Sequence, residues 1–138
     1  INLILVLLES KKFEMEKLKI EWNKEGKIIM DKENGVFEFS GRILPHNPKE
    51  FFEPLFNWFD EYIKNPNSST VITFKMDYFN TASSKKILDA LLVLETIFKM
   101  DNFYVEVHWY YQEEDQDLYE AGVGYSELVN IPFKFKNY

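Results

Sequence analysis

Cysteine is absent from the 138 residues, arginine occurs once, as Arg42, and no apolar run is long enough to cross a membrane. The first absence excludes disulfides, cysteine nucleophiles and thiolate metal sites together; it fits a reducing compartment, so the cytoplasm is the expected location. The single arginine matters with the charge balance. With 23 acidic against 16 basic residues the net charge is −7, which repels a phosphate backbone and argues against nucleic acid as a partner. The apolar stretch Ile1 to Leu8 has no basic leader and falls far short of the ~20 residues a membrane-spanning helix needs, so no membrane partner is expected. His46 and His108 are the only histidines; neither has the neighbouring serine or cysteine of a catalytic triad, and both read as structural. No glycine-rich loop follows a strand, which excludes the Rossmann and P-loop patterns, and no cofactor is expected.

Aromatic residues are abundant, with 13 phenylalanines and eight tyrosines. A domain of this size buries roughly 68–70% of the surface its unfolded chain exposes, so most of them fill a core; a surplus on one face makes a docking surface. Trp22, Trp58 and Trp109 read as core or half-buried anchors rather than a base-stacking platform, given the acidic balance. Residues 1–14 are expected as an upstream extension, or else as a first strand, and residues 15–138 as one domain. No repeat, linker or low-complexity tract divides it.

Leu18–Trp22 alternates apolar with polar residues and Lys27–Asp31 is a second apolar run, so both read as strands. Asn34-Gly35 predicts a type I′ hairpin turn into a returning strand, Val36–Ile43, with Phe37 and Phe39 on one face. Asn47-Pro48-Lys49-Glu50 is a helix start with cap, first-turn proline and capping-box glutamate. The helix is expected to run to about Lys64 with a bend at Pro54. Thr70–Asp77 reads as a strand and Ala82–Met100 as a helix whose inner stripe is Ile87, Leu88, Leu91, Leu94 and Phe98. In the strand Phe103–Tyr110, Phe103, Val105, Val107 and Trp109 share one face and Tyr104, Glu106, His108 and Tyr110 the other. A helix over about Asp117–Asn130, weakened by Gly122 and Gly124, precedes a short strand through Phe133 and Phe135. This order predicts an α/β sandwich: a mixed sheet with an N-terminal β-hairpin and about three packed helices.

Two segments carry polar chemistry. Tyr78-Phe79-Asn80-Thr81-Ala82-Ser83-Ser84-Lys85 lies where a strand ends and a helix begins, the usual position of sites in open α/β sheets. Its hydroxyls serve either as helix caps, with Asn80 or Thr81 accepting first-turn amides, or with Thr81 as a phosphate acceptor at the positive end of the helix dipole and Lys85 a turn away. The second segment, Gln112 to Glu120, holds Glu113, Glu114, Asp115 and Asp117. Its spacing does not match an EF-hand. It reads as a solvated acidic loop opening a helix, with partner docking as its functional option and a metal-dependent enzyme as the weakest.

Taken in order, Phe51-Phe52-Glu53-Pro54-Leu55 with Trp58, then Tyr78 to Lys85, then Trp109-Tyr110-Tyr111 followed by acidic residues and Glu120-Ala121-Gly122, this chain resembles the SiaC family of bacterial regulatory phosphoproteins from about Met15 to the end. The resemblance implies a STAS-like fold and a non-catalytic partner switch. A cognate kinase phosphorylates the threonine of the Asn-Thr motif, here Thr81; a PP2C-type phosphatase reverses it; the unphosphorylated form binds and activates a diguanylate cyclase in c-di-GMP signalling. Asn80, Ser83, Ser84 and Lys85 then surround the phosphosite, and Tyr78, Phe79, Tyr110, Tyr111, Glu113, Glu114 and Asp115 are the docking candidates. Ala82 stands where the family commonly has a serine, which removes a hydroxyl but not the acceptor. An anti-sigma-factor-antagonist switch with another target is the alternative on the same fold.

Overall fold

A computed structural model of the chain describes residues 15–138; the extension expected over residues 1–14 lies outside the described residues. The elements are β1 (Leu18–Trp22), β2 (Gly26–Asp31), β3 (Val36–Ile43), α1 (Pro48–Tyr62), β4 (Ser69–Phe79), α2 (Thr81–Phe98), β5 (Tyr104–Tyr111), α3 (Gln116–Leu128) and β6 (Phe133–Asn137). Among the described residues the strands form one sheet in sequence order. Pairing is antiparallel between β1, β2 and β3 and parallel from β3 through β6. The predicted mixed sheet with an N-terminal hairpin and three packed helices is therefore the observed architecture, and it is compatible with a STAS-like sandwich.

Register explains where the core sits. Ile28, Phe39, Phe74, Trp109 and Phe135 form one cross-sheet row, and Met30, Phe37, Ile72, Val107 and Phe133 the next on the same face. The helices cover this face: the Phe37 ring packs 6.0 Å from Trp58 and 5.4 Å from Tyr62 of α1, and Trp109 packs 5.6 Å from Tyr125 of α3. Burying one such side chain contributes roughly 1.5–3 kcal/mol, more than the ~0–1 kcal/mol of a surface ion pair. The rows therefore outweigh the exposed Lys19–Glu21 and Lys64–Glu61 pairs as sources of stability. The opposite face carries Lys27, Glu38, Ser40, Thr73, Lys75, His108 and Lys134, and no described helix lies on it.

Local signals behave as expected at α1. Asn47 Oδ1 accepts the Glu50 amide at 3.2 Å and Asn47 Nδ2 donates to Glu50 Oε2 at 3.2 Å, with Pro48 in the first turn. The helix continues through Pro54, which faces solvent, so water can reach the Glu50 carbonyl that the proline ring leaves without an amide. The hairpin between β2 and β3 forms, but not on a type I′ turn. Of Asn34 and Gly35 only Gly35 has positive φ, at 66°, because the Asp31 carboxylate captures both the Asn34 amide (3.1 Å) and its side chain (2.8 Å) and makes a four-residue connection. The primed geometry falls one hairpin earlier, where Asn23 and Lys24 both have positive φ and the Glu25 amide donates to the Trp22 carbonyl at 2.8 Å. In α2 the buried stripe is Ser83, Ile87, Ala90, Leu91, Leu94 and Ile97, while Leu88 and Phe98 flank it half-buried.

Gly122 has a packing reason rather than a merely weakening effect on α3. The Trp109 indole Nε1 donates to the Leu118 carbonyl at 3.0 Å, and a Cβ on Gly122 would stand 2.5 Å from two atoms of that indole. Alanine there must displace a fully buried tryptophan. Gly122→Ala should therefore destabilise the fold by roughly 1–3 kcal/mol despite alanine's better helix propensity. Gly124→Ala, where nothing lies within 4 Å of the added Cβ, should stabilise it by up to ~1 kcal/mol. Urea unfolding midpoints of the two variants should move in opposite directions.

Candidate functional site

At the end of β4 the register against β3 shifts: Gly41 pairs with Met76 but Arg42 pairs with Tyr78, leaving Asp77 as an extra residue. A bulge of this kind turns the following side chains over. Tyr78 joins Arg42 on the uncovered face, with the guanidinium 5.5 Å from its ring centroid, and Phe79 points to the helix side, 6.4 Å from Trp109. Asn80 follows and is pinned against the exit of β3 by its amide to the Ile43 carbonyl (3.4 Å) and its Nδ2 to the Pro45 carbonyl (3.3 Å).

That anchoring settles the capping question. Asn80 is the N-cap of α2: its Oδ1 accepts the Ser83 amide at 2.9 Å and its carbonyl the Ser84 amide at 3.1 Å. Thr81 is the first helical residue and is exposed, and neither its amide nor that of Ala82 has a partner among the described residues. Two donors of the positive helix end are thus left at the Thr81 surface. Lys85 is exposed one turn on, whereas Lys86 is drawn 5.7 Å over the Phe56 ring of α1.

The two serines differ. Ser84 Oγ donates to the Thr81 carbonyl at 2.6 Å, and its own carbonyl accepts from Tyr125 OH at 2.8 Å. Ser83 is fully buried and its Oγ has no hydrogen-bond partner, so it belongs to the packing stripe and not to the exposed surface around Thr81. Burial pushes the Tyr125 phenol up to about 12, and its hydroxyl joins α3 to the first turn of α2. Sequence gave no sign of that bond, since Tyr125 and Ser84 are far apart in the chain and neither type is diagnostic.

The proposed docking residues separate into distinct roles. Tyr78, Glu113 and Glu114 are exposed. Because β4 and β5 are parallel neighbours, the acidic loop after β5 and the start of α2 after β4 occupy the same edge of the sheet. Asp115 is occupied as the N-cap of α3, accepting the Leu118 amide at 3.0 Å. Phe79 and Tyr111, expected on the docking surface, pack inward against the core, Tyr111 lying 4.8 Å from Tyr119. Tyr110 lies on the uncovered face, flanked by Lys75 and Lys136 at 5.4 and 5.6 Å. Among the described residues no three histidine or carboxylate side chains converge to hold a metal ion.

The same face carries a polar network that spacing alone did not reveal. Glu106 is buried there and receives Tyr104 OH at 3.0 Å, Lys134 Nζ at 3.4 Å and His108 Nε2 at 2.5 Å. Lys136 Nζ lies 3.1 Å from His108 Nδ1 on the other side of the ring, so the imidazole stands between this lysine and the Glu106 carboxylate. The hydrogen bond from His108, then those from Tyr104 and Lys134, hold the Glu106 carboxyl below its ordinary value against the opposing effect of burial.

Comparison with known proteins gives a coherent result. The family model described as SiaC family regulatory phosphoprotein matches residues 20–138. An uncharacterized protein of Pseudomonas aeruginosa is 23% identical over 103 residues, covering 75% of this chain and 81% of that protein. Among solved structures, SiaC of Pseudomonas aeruginosa matches with a TM-score of 0.78 at 23% identity, over 90% of this chain and 100% of that one. A crystal structure of the diguanylate cyclase SiaD in complex with its activator SiaC, also from Pseudomonas aeruginosa, matches with a TM-score of 0.74 at 22% identity, over 88% and 99% of the two chains. At these identities the structural matches establish the fold.

Asn80→Ala should cost about 1 kcal/mol as a lost cap. Ser83→Ala should cost nothing or stabilise, because it deletes a buried hydroxyl that has no partner. Denaturation midpoints read both, and a loss above about 1 kcal/mol for Ser83→Ala would reveal a partner for its Oγ. For Glu106, a folded pKa below the ordinary 4.5 means that its stabilisation is present above that value and lost as pH falls through the folded pKa. Glu106→Gln should accordingly flatten the acid limb of stability against pH.

Proposed function

This chain belongs to the SiaC family of regulatory phosphoproteins, and from that membership we propose that it is a non-catalytic partner switch whose phosphoacceptor is Thr81. In this reading a cognate kinase phosphorylates Thr81, a PP2C-type phosphatase removes the phosphate, and the unphosphorylated form binds and activates a diguanylate cyclase in the cytoplasm. The functional unit is the single domain over residues 15–138. The activator–cyclase pairing of the related complex supports the kind of partner.

The observation that carries the proposal is the division of labour at the start of α2. Asn80 caps the helix, and Thr81 is exposed with no hydrogen bond to its hydroxyl among the described residues. A phosphate of about −1.5 to −2 charges at that position meets the unpartnered amides of Thr81 and Ala82 and the positive end of the helix dipole. The modification therefore leaves the fold intact and changes the charge of the sheet edge that also presents Tyr78, Glu113 and Glu114. A partner docked on that edge meets a different potential in the two states, and binding changes without any rearrangement of the core.

Thr81→Ala should retain the partner complex and leave stability within about 0.5 kcal/mol of wild type, because the cap is elsewhere. Thr81→Glu should weaken the complex while leaving the fold equally stable. Calorimetric titration of each variant with the cyclase, alongside thermal unfolding, reads both, and equal affinities would sink the switch. Intact-mass measurement of the protein from growing cells, with and without phosphatase treatment, should show one phosphate lost from the wild type and none from Thr81→Ala.

A further inference from the structure

The three helices cover one face of the sheet, and at the β4–β5–β6 corner the other face presents aromatic rings interleaved with cations. Lys75 Nζ lies 5.4 Å from the Tyr110 ring centroid and 4.7 Å from that of Tyr138, and Lys136 Nζ lies 5.6 Å from Tyr110. Arg42 sits over Tyr78 at the same edge. Tyr78 is 51% exposed and Tyr138 47%. Shallow clefts of about 350 Å³ and 400 Å³ flank the group, the first reaching Arg42, Asp77 and Tyr138, the second Glu38, Thr73, Lys75 and Tyr110.

The charges in this corner are unevenly committed. Glu106 is held by His108 and Lys134, and Asp77 accepts from Tyr138 OH at 3.4 Å. Lys75 and Lys136 form no ion pair with a carboxylate among the described residues. The Lys75 ammonium lies against two rings, and that of Lys136 lies against Tyr110 and on His108 Nδ1, so both are held in place without a carboxylate at contact distance. In a chain of net charge −7, and with Glu38, Asp77 and Asp115 lining the flanking clefts, these two lysines still present positive charge among exposed tyrosines, with tyrosine and arginine as the residue types that anchor protein interfaces.

We propose that this corner of the uncovered face, built on Lys75, Lys136, Tyr110 and Tyr138, is a second docking surface that takes an acidic segment of a protein partner. Carboxylates of the segment replace the missing counter-ions of Lys75 and Lys136, and its apolar side chains cover Tyr78 and Tyr138. The site meets the Thr81 edge at Tyr78 but does not depend on Thr81: its two central lysines are carried by the middle of β4 and by β6, and its chemistry requires no phosphate.

The test uses the unphosphorylated protein, isotopically labelled and carrying Thr81→Ala, titrated with a twelve-residue peptide that alternates glutamate with leucine and phenylalanine. Amide shift changes should concentrate in β4, β5 and β6 at Lys75, Tyr110, Lys136 and Tyr138, with an affinity that falls several-fold as salt rises and screens the charges. Lys75→Glu with Lys136→Glu should abolish the shifts, and Lys49→Glu with Lys99→Glu, an equal charge change on the helices, should leave them. Should the first pair perturb the fold, Lys75→Gln alone should weaken binding measurably. Shifts absent or located elsewhere, equal binding by the Lys75→Glu/Lys136→Glu protein, or binding to phosphatidylserine vesicles but not to the peptide would overturn the proposal. So would a wild-type dimer in sedimentation that the same pair of substitutions dissociates, because a second copy would then be the occupant.

Discussion

The handedness of the crossover connections is the constraint on which the rest of this structure depends. From β3 onward each strand is followed by a helix and then by the next parallel strand, always one place further along the sheet. Such crossovers are right-handed almost without exception, so three taken in the same direction must lay all three helices on one face. A doubly wound sheet escapes this by reversing direction partway, and here nothing reverses. One face consequently collects the rows that run from Ile28 to Phe135 and from Met30 to Phe133, and the other is left to lysines, glutamates, threonine and tyrosines. Both candidate surfaces follow from this asymmetry, the Thr81 edge because three loops leave the sheet on one side, the lysine–tyrosine corner because no described helix covers its face.

Within the covered layer Trp109 is where the elements meet. Its ring lies 5.4 Å from Phe74 on the neighbouring strand and 5.6 Å from Tyr125 on α3, and its Nε1 holds the Leu118 carbonyl. The absence of a side chain at Gly122 lets α3 approach this closely. Tyr125 then extends the contact by donating to the Ser84 carbonyl in the first turn of α2. The start of α2 is thus held from two sides, by Asn80 against the exit of β3 and by Tyr125 from α3. A rigid seat of this kind favours recognition by surface charge over recognition by refolding, since little of the local backbone is free to move.

Much of this was legible in the chain because its signals are local. The strict alternation in Tyr104–Tyr111, the Asn47–Glu50 capping pair and the order of elements each depend on neighbours within a few residues. What was hidden depends on contacts across the sheet. Asn34-Gly35 carries the composition of a type I′ turn, but Asp31 competes for the Asn34 amide, and a side chain three residues back decided the turn. The bulge at Asp77 reverses the faces of Tyr78 and Phe79, and no residue type in Met76–Phe79 announces it; the pairing with Gly41 and Arg42 imposes it. Ser83 read as a polar first-turn residue because its burial comes from its place on the core-facing stripe of α2 and not from its chemistry.

The placement of the cap on Asn80 rather than Thr81 bears on how the proposed switch is built into a small domain. Capping and accepting a phosphate make conflicting demands on one hydroxyl, because a cap contributes about 1 kcal/mol only while its oxygen stays on the first-turn amides. A single residue doing both would exchange stability for signal at every modification. Here the cap is Asn80, and the proposed phosphoacceptor is the residue beside it. Asn80 holds the Ser83 amide and the anchoring bond to Pro45; Thr81 accepts Ser84 Oγ only through its carbonyl, and its hydroxyl makes no hydrogen bond among the described residues. A domain with net stability of only 5–15 kcal/mol gains from that separation, because the charge state of its surface can then change while the population of folded molecules does not.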